Sequence, residues 1–76
     1  MSPKLPVVSG DEVIRVLGKF GYVAVRRKGS YVRLRHPTDP ARTPITVPLH
    51  KELASGTLRR ILRDAQLEIE QFVKNL

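Results

Sequence analysis

The chain has 76 residues, 41% of them apolar and 28% charged, with 14 Lys and Arg against seven Asp and Glu for a net charge of +7. One domain across residues 1–76 would bury only roughly 60% of the surface its unfolded form exposes, which leaves little interior for a deep pocket and directs any ligand to a face or an edge. Without cysteine, disulfides and thiolate metal sites are excluded; apolar runs such as Tyr22 to Val25 are far too short to span a bilayer and no secretory segment leads the chain, so a soluble, cytoplasmic protein is expected.

Residues Met1 to Val8, with Pro3 and Pro6, read as an extended lead-in. Ser9 and Glu12 have the spacing of a reciprocal helix cap, and Asp11 and Glu12 suit the positive end of the helix dipole as Lys19 suits the other. Val13, Ile14, Leu17 and Phe20 recur at helical spacing, and Gly21 supplies a left-handed stop. From Tyr22 the period becomes two. Val23 and Val25, then Val32 and Leu34 after a turn at Lys28-Gly29-Ser30, are expected to face the helices and to leave tyrosine and arginines on the open face. Turn formers from Pro37 to Pro40 lead to a third strand with Thr43, Ile45, Thr46 and Val47, which Pro44 and Pro48 should keep short and at an edge. A second helical region after Gly56-Thr57 places Leu58, Ile61, Leu62 and Ala65 on one face and Arg59, Arg60 and Arg63 on the other. A last helix from Leu67 carries Ile69, Phe72, Val73 and Leu76. The order α-β-β-β-α-α implies an α+β fold, a three-stranded antiparallel sheet with helices on one face.

The charge is unevenly spread. Between Arg26 and Arg63 there are ten basic residues and two acids, Asp39 and Glu52, whereas the stretch from Asp64 onward carries a net −2. Arg26, Arg27, Lys28, Arg33 and Arg35 put five positive charges on one hairpin with no acid. Such a concentration favours a polyanion; the plain alternatives are a solvated surface kept for solubility and a face that serves an acidic protein. Arg26, Arg33 and Arg35 are the strongest candidates for phosphate contacts because guanidinium pairs with phosphate in two-pronged geometry. Lys28 and Gly29 at a tight turn can bring backbone amides to a phosphate, and Ser30 can donate to one or simply suit the turn. Arg59, near a helix start, can extend the surface or only solvate its helix.

Six fragments resemble the HicA toxin family of mRNA interferases: Phe20-Gly21-Tyr22, Arg27-Lys28-Gly29-Ser30, Arg35-His36-Pro37, Val47-Pro48-Leu49-His50, Gly56-Thr57-Leu58-Arg59 and Ile61-Leu62. Their order and spacing, from about Gly10 to Leu76, carry the resemblance. It implies a fold like that of double-stranded-RNA-binding domains, metal-independent cleavage of RNA by an endoribonuclease, and neutralisation by a HicB-like antitoxin that covers the active surface and through which oligomers can form.

One position departs from the family. Its motif at the turn is Gly-Ser-His, with histidine as the catalytic residue, and here Tyr31 occupies that place. Cleavage without a metal needs a base for the 2′-hydroxyl proton and an acid for the leaving oxygen. Imidazole, with a reference pKa of ~6.5, serves near neutrality, whereas a phenol at ~10 is ionised in about one molecule in a thousand at pH 7. Losing such a base costs on the order of 10² to 10⁴ in rate, so cleavage by this chain is expected to be impaired. Tyr31 can instead stack on a base or bond a phosphate, or act only as a cross-strand aromatic that stabilises the hairpin. A non-catalytic RNA-binding module of the same fold is the alternative reading. His36, roughly 16 Å along the strand from Tyr31, is a poor replacement and reads as a cap or rim residue. His50 matches a recurring family position and can approach RNA. Neither histidine belongs to a carboxylate constellation, so no metal site and no cofactor is expected.

Overall fold

The computed structural model describes residues 4–76, and the first three residues of the expected lead-in lie outside that range. Ser9 opens the first helix, α1 (Gly10–Lys19), through the reciprocal cap: Glu12 N–H donates to Ser9 Oγ at 3.1 Å and Ser9 N–H donates to Glu12 Oε1 at 3.0 Å. Val13, Val16 and Leu17 form its buried stripe, with Ile14 and Phe20 packed at the margin. The helix ends because Gly21 takes a φ of 96°, which lets Gly21 N–H reach Gly18 O and Tyr22 N–H reach Leu17 O.

Three strands follow, β1 (Val23–Lys28), β2 (Tyr31–Arg35) and β3 (Ile45–Pro48), in an antiparallel sheet of order β1-β2-β3. Gly29, with a φ of 57°, is the first residue of a two-residue hairpin turn, the place where a tight turn needs a left-handed dihedral. Helices α2 (Ser55–Asp64) and α3 (Ile69–Lys74) complete the chain. The helices pack on one face of the sheet, over Val32, Leu34, Ile45 and Val47, and Leu58, Ile61, Leu62, Ala65 and Phe72 close the core. This α-β-β-β-α-α arrangement is the double-stranded-RNA-binding-domain-like fold. No helix among the described residues is long and apolar enough to cross a membrane.

Two polar clamps hold the periphery. Arg42 donates from Nη1 to Ala65 O at 2.6 Å, at the end of α2, while its Nε pairs with Asp39 at 3.3 Å. Lys19 Nζ donates to Asn75 O at 2.9 Å and ties the end of α1 to the end of α3. Burial pushes the Tyr22 phenol above its usual range, partly offset by Arg42, so the side chain stays a neutral donor in the core.

The first strand differs from the expected alternation. Val23 and Val25 are 50% and 54% exposed, whereas Tyr22 is 4% exposed. The register shifts between Ala24 and Arg26, so Val25 is an extra residue, and Val23 and Ala24 before it take the faces opposite to those of an unbroken strand; β1 is also an edge strand, exposed along its length. Tyr22 precedes the strand and turns inward against His36, their rings edge to face at 5.3 Å. The last helix is also shorter than its apolar spacing suggests. Its six residues are under two turns, enough to bury Phe72 but not Val73 or Leu76, which are 44% and 37% exposed. Leu67 belongs instead to the reversal after α2, where its N–H bonds Leu62 O and Gln66 has a φ of 57°.

Opposite stability changes are expected at two glycines, one in the last turn of α1 and one just past its end. Gly21→Ala forces a Cβ into the left-handed region and to 2.5 Å from His36 Nε2; the dihedral alone costs on the order of 1–2 kcal/mol. Gly18→Ala meets open space and should gain about 0.5–1 kcal/mol. Thermal melts read the difference as roughly 4–8 °C per kcal/mol for a domain of this size. At the second helix end, Gln66→Gly should stabilise by up to about 1 kcal/mol, because a residue with a Cβ now holds a left-handed dihedral there; a lower urea midpoint for that variant would contradict this account of the turn.

Candidate nucleic-acid interface

Directly paired residues of an antiparallel sheet project to the same face, so the register assigns each hairpin cation a side. Arg26 is opposite Arg33, Lys28 is opposite Tyr31, and Val23 is opposite Arg35, all on the face away from the helices. On the far side of β2, Tyr31 is opposite Pro48 and Arg33 is opposite Thr46. Arg26, Lys28, Tyr31, Arg33 and Thr46 line one depression of about 220 Å³. Tyr31 is 52% exposed at its edge, and Arg33 Nη1 is 3.4 Å from Thr46 Oγ1, a long contact that leaves most of the guanidinium free.

This face is uncompensated. Ion pairs among the described residues join Arg42 to Asp39 and Arg63 to Asp64, and none involves Arg26, Arg27, Lys28, Arg33 or Arg35. Like charges directly opposite across strands destabilise a hairpin. The Arg26–Arg33 pair therefore disfavours the free hairpin slightly and favours any anion that bridges both guanidinium groups.

The structure divides the remaining candidates. Arg27 is opposite Val32, on the helix side of the sheet, because it alternates with Arg26 and Lys28 in the unbroken run from the turn; it lines a separate groove with Asp11 and Ile14. Arg35 shares the open face but lies two residues beyond Arg33, outside the depression. Ser30 takes part through its backbone: its carbonyl accepts from Leu49 N–H at 2.6 Å and fixes the turn against the end of β3. His50 is exposed just past that point, and its carbonyl accepts from Gly10 N–H at 2.9 Å. Arg59 belongs to the helical layer, beside Leu67 and Ile69, and not to the sheet face.

Sequence reasoning missed two contributors. Thr46 is cross-strand to Arg33, and Arg60 lines a polar groove with Pro44, Ile45 and Thr46 along the outer edge of β3. The available signal was the alternation of Thr46 with Ile45 and Val47, which sends it to the open face. Arg60 has no such local signal, since its approach to β3 depends on the packing of α2.

His36 is accounted for structurally. Its Nε2–H donates to Phe20 O at 3.1 Å and its Nδ1 accepts from Thr38 Oγ1 at 3.3 Å. Both ring nitrogens are engaged at the helix stop, away from the depression. No group of three or more His, Cys, Asp and Glu side chains is gathered among the described residues.

No curated protein matches the chain. A family model described as HicA toxin of bacterial toxin-antitoxin matches residues 10–67, from the first residue of α1 through the turn that follows α2. The match spans the hairpin, the strand opposite Tyr31 and the helix that backs them, and on it the chain belongs to the HicA toxin family of bacterial toxin–antitoxin systems.

Proposed function

We propose that residues 1–76 act as one RNA-binding unit of the mRNA-interferase type, whose open sheet face takes a single strand of RNA and whose catalytic position holds Tyr31. The carrying observation is the depression lined by Arg26, Lys28, Tyr31 and Arg33, four exposed groups on one face with no carboxylate paired to them. Arg26 and Arg33 suit a bridging phosphate. Arg35, Arg27 and the turn at Lys28-Gly29-Ser30 extend the positive field, and His50, Arg59 and Arg60 enlarge it beyond the sheet. An unpaired base fits Tyr31 better than a duplex does, because stacking on a ring needs a base out of its helix. Membership in the family also implies a cognate antitoxin; a HicB-like protein that covers the cationic face would exclude RNA by occupying the same charges.

In this reading, binding and chemistry are separable. The cations position the backbone, while proton transfer from the 2′-hydroxyl belongs to position 31, where a neutral phenol is a weak base. Tyr31→His should raise cleavage of a fluorescent single-stranded RNA, assayed in chelator without divalent metal, by on the order of 10² to 10⁴. The gain should follow pH with a midpoint near the imidazole reference of ~6.5, a signature that a purely structural effect would not produce. No gain in cleavage with RNA affinity intact would remove position 31 from the chemistry.

A second reading is favoured by the half-exposed ring itself: a non-catalytic RNA-binding module in which Tyr31 is a stacking platform. The two readings share one expectation. Affinity for a single strand should fall with salt by about 0.7 log units per log unit for each phosphate contact, and Arg33→Ala should flatten that slope by about 0.7 with little change in melting temperature. Metal-free cleavage by the unaltered chain would decide for the enzyme; salt-independent affinity would count against both.

A further inference from the structure

We infer that the outer edge of β1, with the groove beneath it, is the docking site for an extended acidic segment of a protein partner that adds as a fourth strand. The inference rests on the toxin–antitoxin reading only in taking the partner to be a protein antagonist.

The two edges of the sheet are unequal. β3 is four residues long, ends in Pro48 and has Arg60 of α2 beside it, features that blunt an edge. β1 is six residues long, roughly 20 Å of strand, and pairs on one side only. Its outer row of backbone N–H and C=O groups has no strand partner, and Val23 and Val25 are half-exposed along it. An unpaired edge with apolar side chains and no proline is a template for another chain, here continuous from Arg26 to Lys28 and offset by the bulge at Val25.

The gap between β1 and α1 supplies the second element. A groove of about 400 Å³ runs between α1 and β1, with Ile14, Ala24, Val25 and Val32 as apolar lining and Arg26 and Arg27 as its cationic end; Asp11 stands on the α1 side. A strand paired with β1 would place alternate side chains over this lining with Arg27 at its end, and its other residues would meet Arg26 and Lys28 on the open face. Those three cations have no carboxylate partner among the described residues. The preferred segment therefore alternates apolar and acidic residues. RNA fits the edge less well, since a phosphodiester offers no ladder of matching donors and acceptors.

Arg26 couples this site to the RNA face, because it lines both the groove and the depression beside Tyr31. A partner on the edge would withdraw one guanidinium from the anion site without covering the ring. Antagonism of RNA binding would then be partial from the edge alone, and complete only when the partner also reaches across the sheet.

The test is a titration of the isotope-labelled full chain with a synthetic peptide of alternating Glu and Val, long enough to span β1, and with the same peptide N-methylated at alternate amides. Strand addition predicts amide shifts and slowed exchange along Val23 to Lys28, and a loss of affinity of about tenfold or more for the N-methylated peptide, which cannot complete the ladder. Val25→Gln, at an exposed position, should weaken the peptide several-fold and leave affinity for a single-stranded RNA oligonucleotide unchanged, with an unaltered melt as the check on folding. Equal binding by both peptides, shifts centred on Tyr31, Arg33 and Thr46, or no peptide binding would each overturn the inference while the RNA reading stands on its own arm. Oligonucleotide-induced shifts confined to the β1 edge would overturn it in favour of RNA. Failure of the oligonucleotide to bind, with the peptide still on the edge, would remove the RNA reading and keep the edge.

Discussion

The placement of the cations on the sheet depends on the parity of one hairpin. A strand has a side-chain period of two, so a slip of a single residue exchanges its faces. Here the turn at Gly29 and Ser30 sets the pairing of Lys28 with Tyr31, and the extra residue at Val25 resets it before Ala24 meets Leu34. Between those two points Arg26 and Lys28 join Tyr31 and Arg33 on the open face. Beyond the bulge, Ala24 returns to the helix side opposite Leu34 and Val23 to the open side. Without the bulge, Val25 would pair with Leu34 on the helix side and Ala24 would join Arg26 and Lys28 on the open face, so the bulge turns the valines outward while the turn alone fixes the cations.

The energetics permit such a concentration. Two exposed unit charges a cross-strand distance apart repel by about 1 kcal/mol in water-like surroundings. Full burial of one Val or Leu side chain contributes roughly 1.5–3 kcal/mol, and Val32, Leu34, Ile45 and Val47 are all buried on the reverse face of the same sheet. The core thus outweighs the repulsion several times over. The open face is free to be electrostatically unfavourable because the opposite face holds the strands together.

Local signals carried much of the fold, and their failures have a common cause. The Ser9–Glu12 cap, the Gly21 stop and the apolar face of α2 depend on neighbours within a turn of helix, and each is found where spacing puts it. The edge position of β3 follows from its prolines in the same way. By contrast, Val23 and Val25 face solvent against their spacing because a bulge adds a residue without changing the residue types, and Arg27 leaves the open face because strict alternation with Arg26 and Lys28 sends it to the helix side. The open-face group of Arg26, Lys28, Tyr31 and Arg33 was legible as a charged hairpin. The separation of Arg59 from that face and the approach of Arg60 to β3 depend on how α2 is rotated against the sheet, a tertiary quantity.

The stop after α1 binds two distant parts of the chain into one steric unit. Gly21 has no Cβ, and the space a Cβ would occupy is filled by the His36 ring, itself bonded to the carbonyl of Phe20. Neither position can drift alone: a larger residue at 21 needs a smaller one at 36, and a smaller one at 36 leaves a carbonyl without its donor and Tyr22 without its aromatic neighbour. Divergent versions of this chain should therefore exchange both residues together or neither, and such paired change would be an inherited record of the contact.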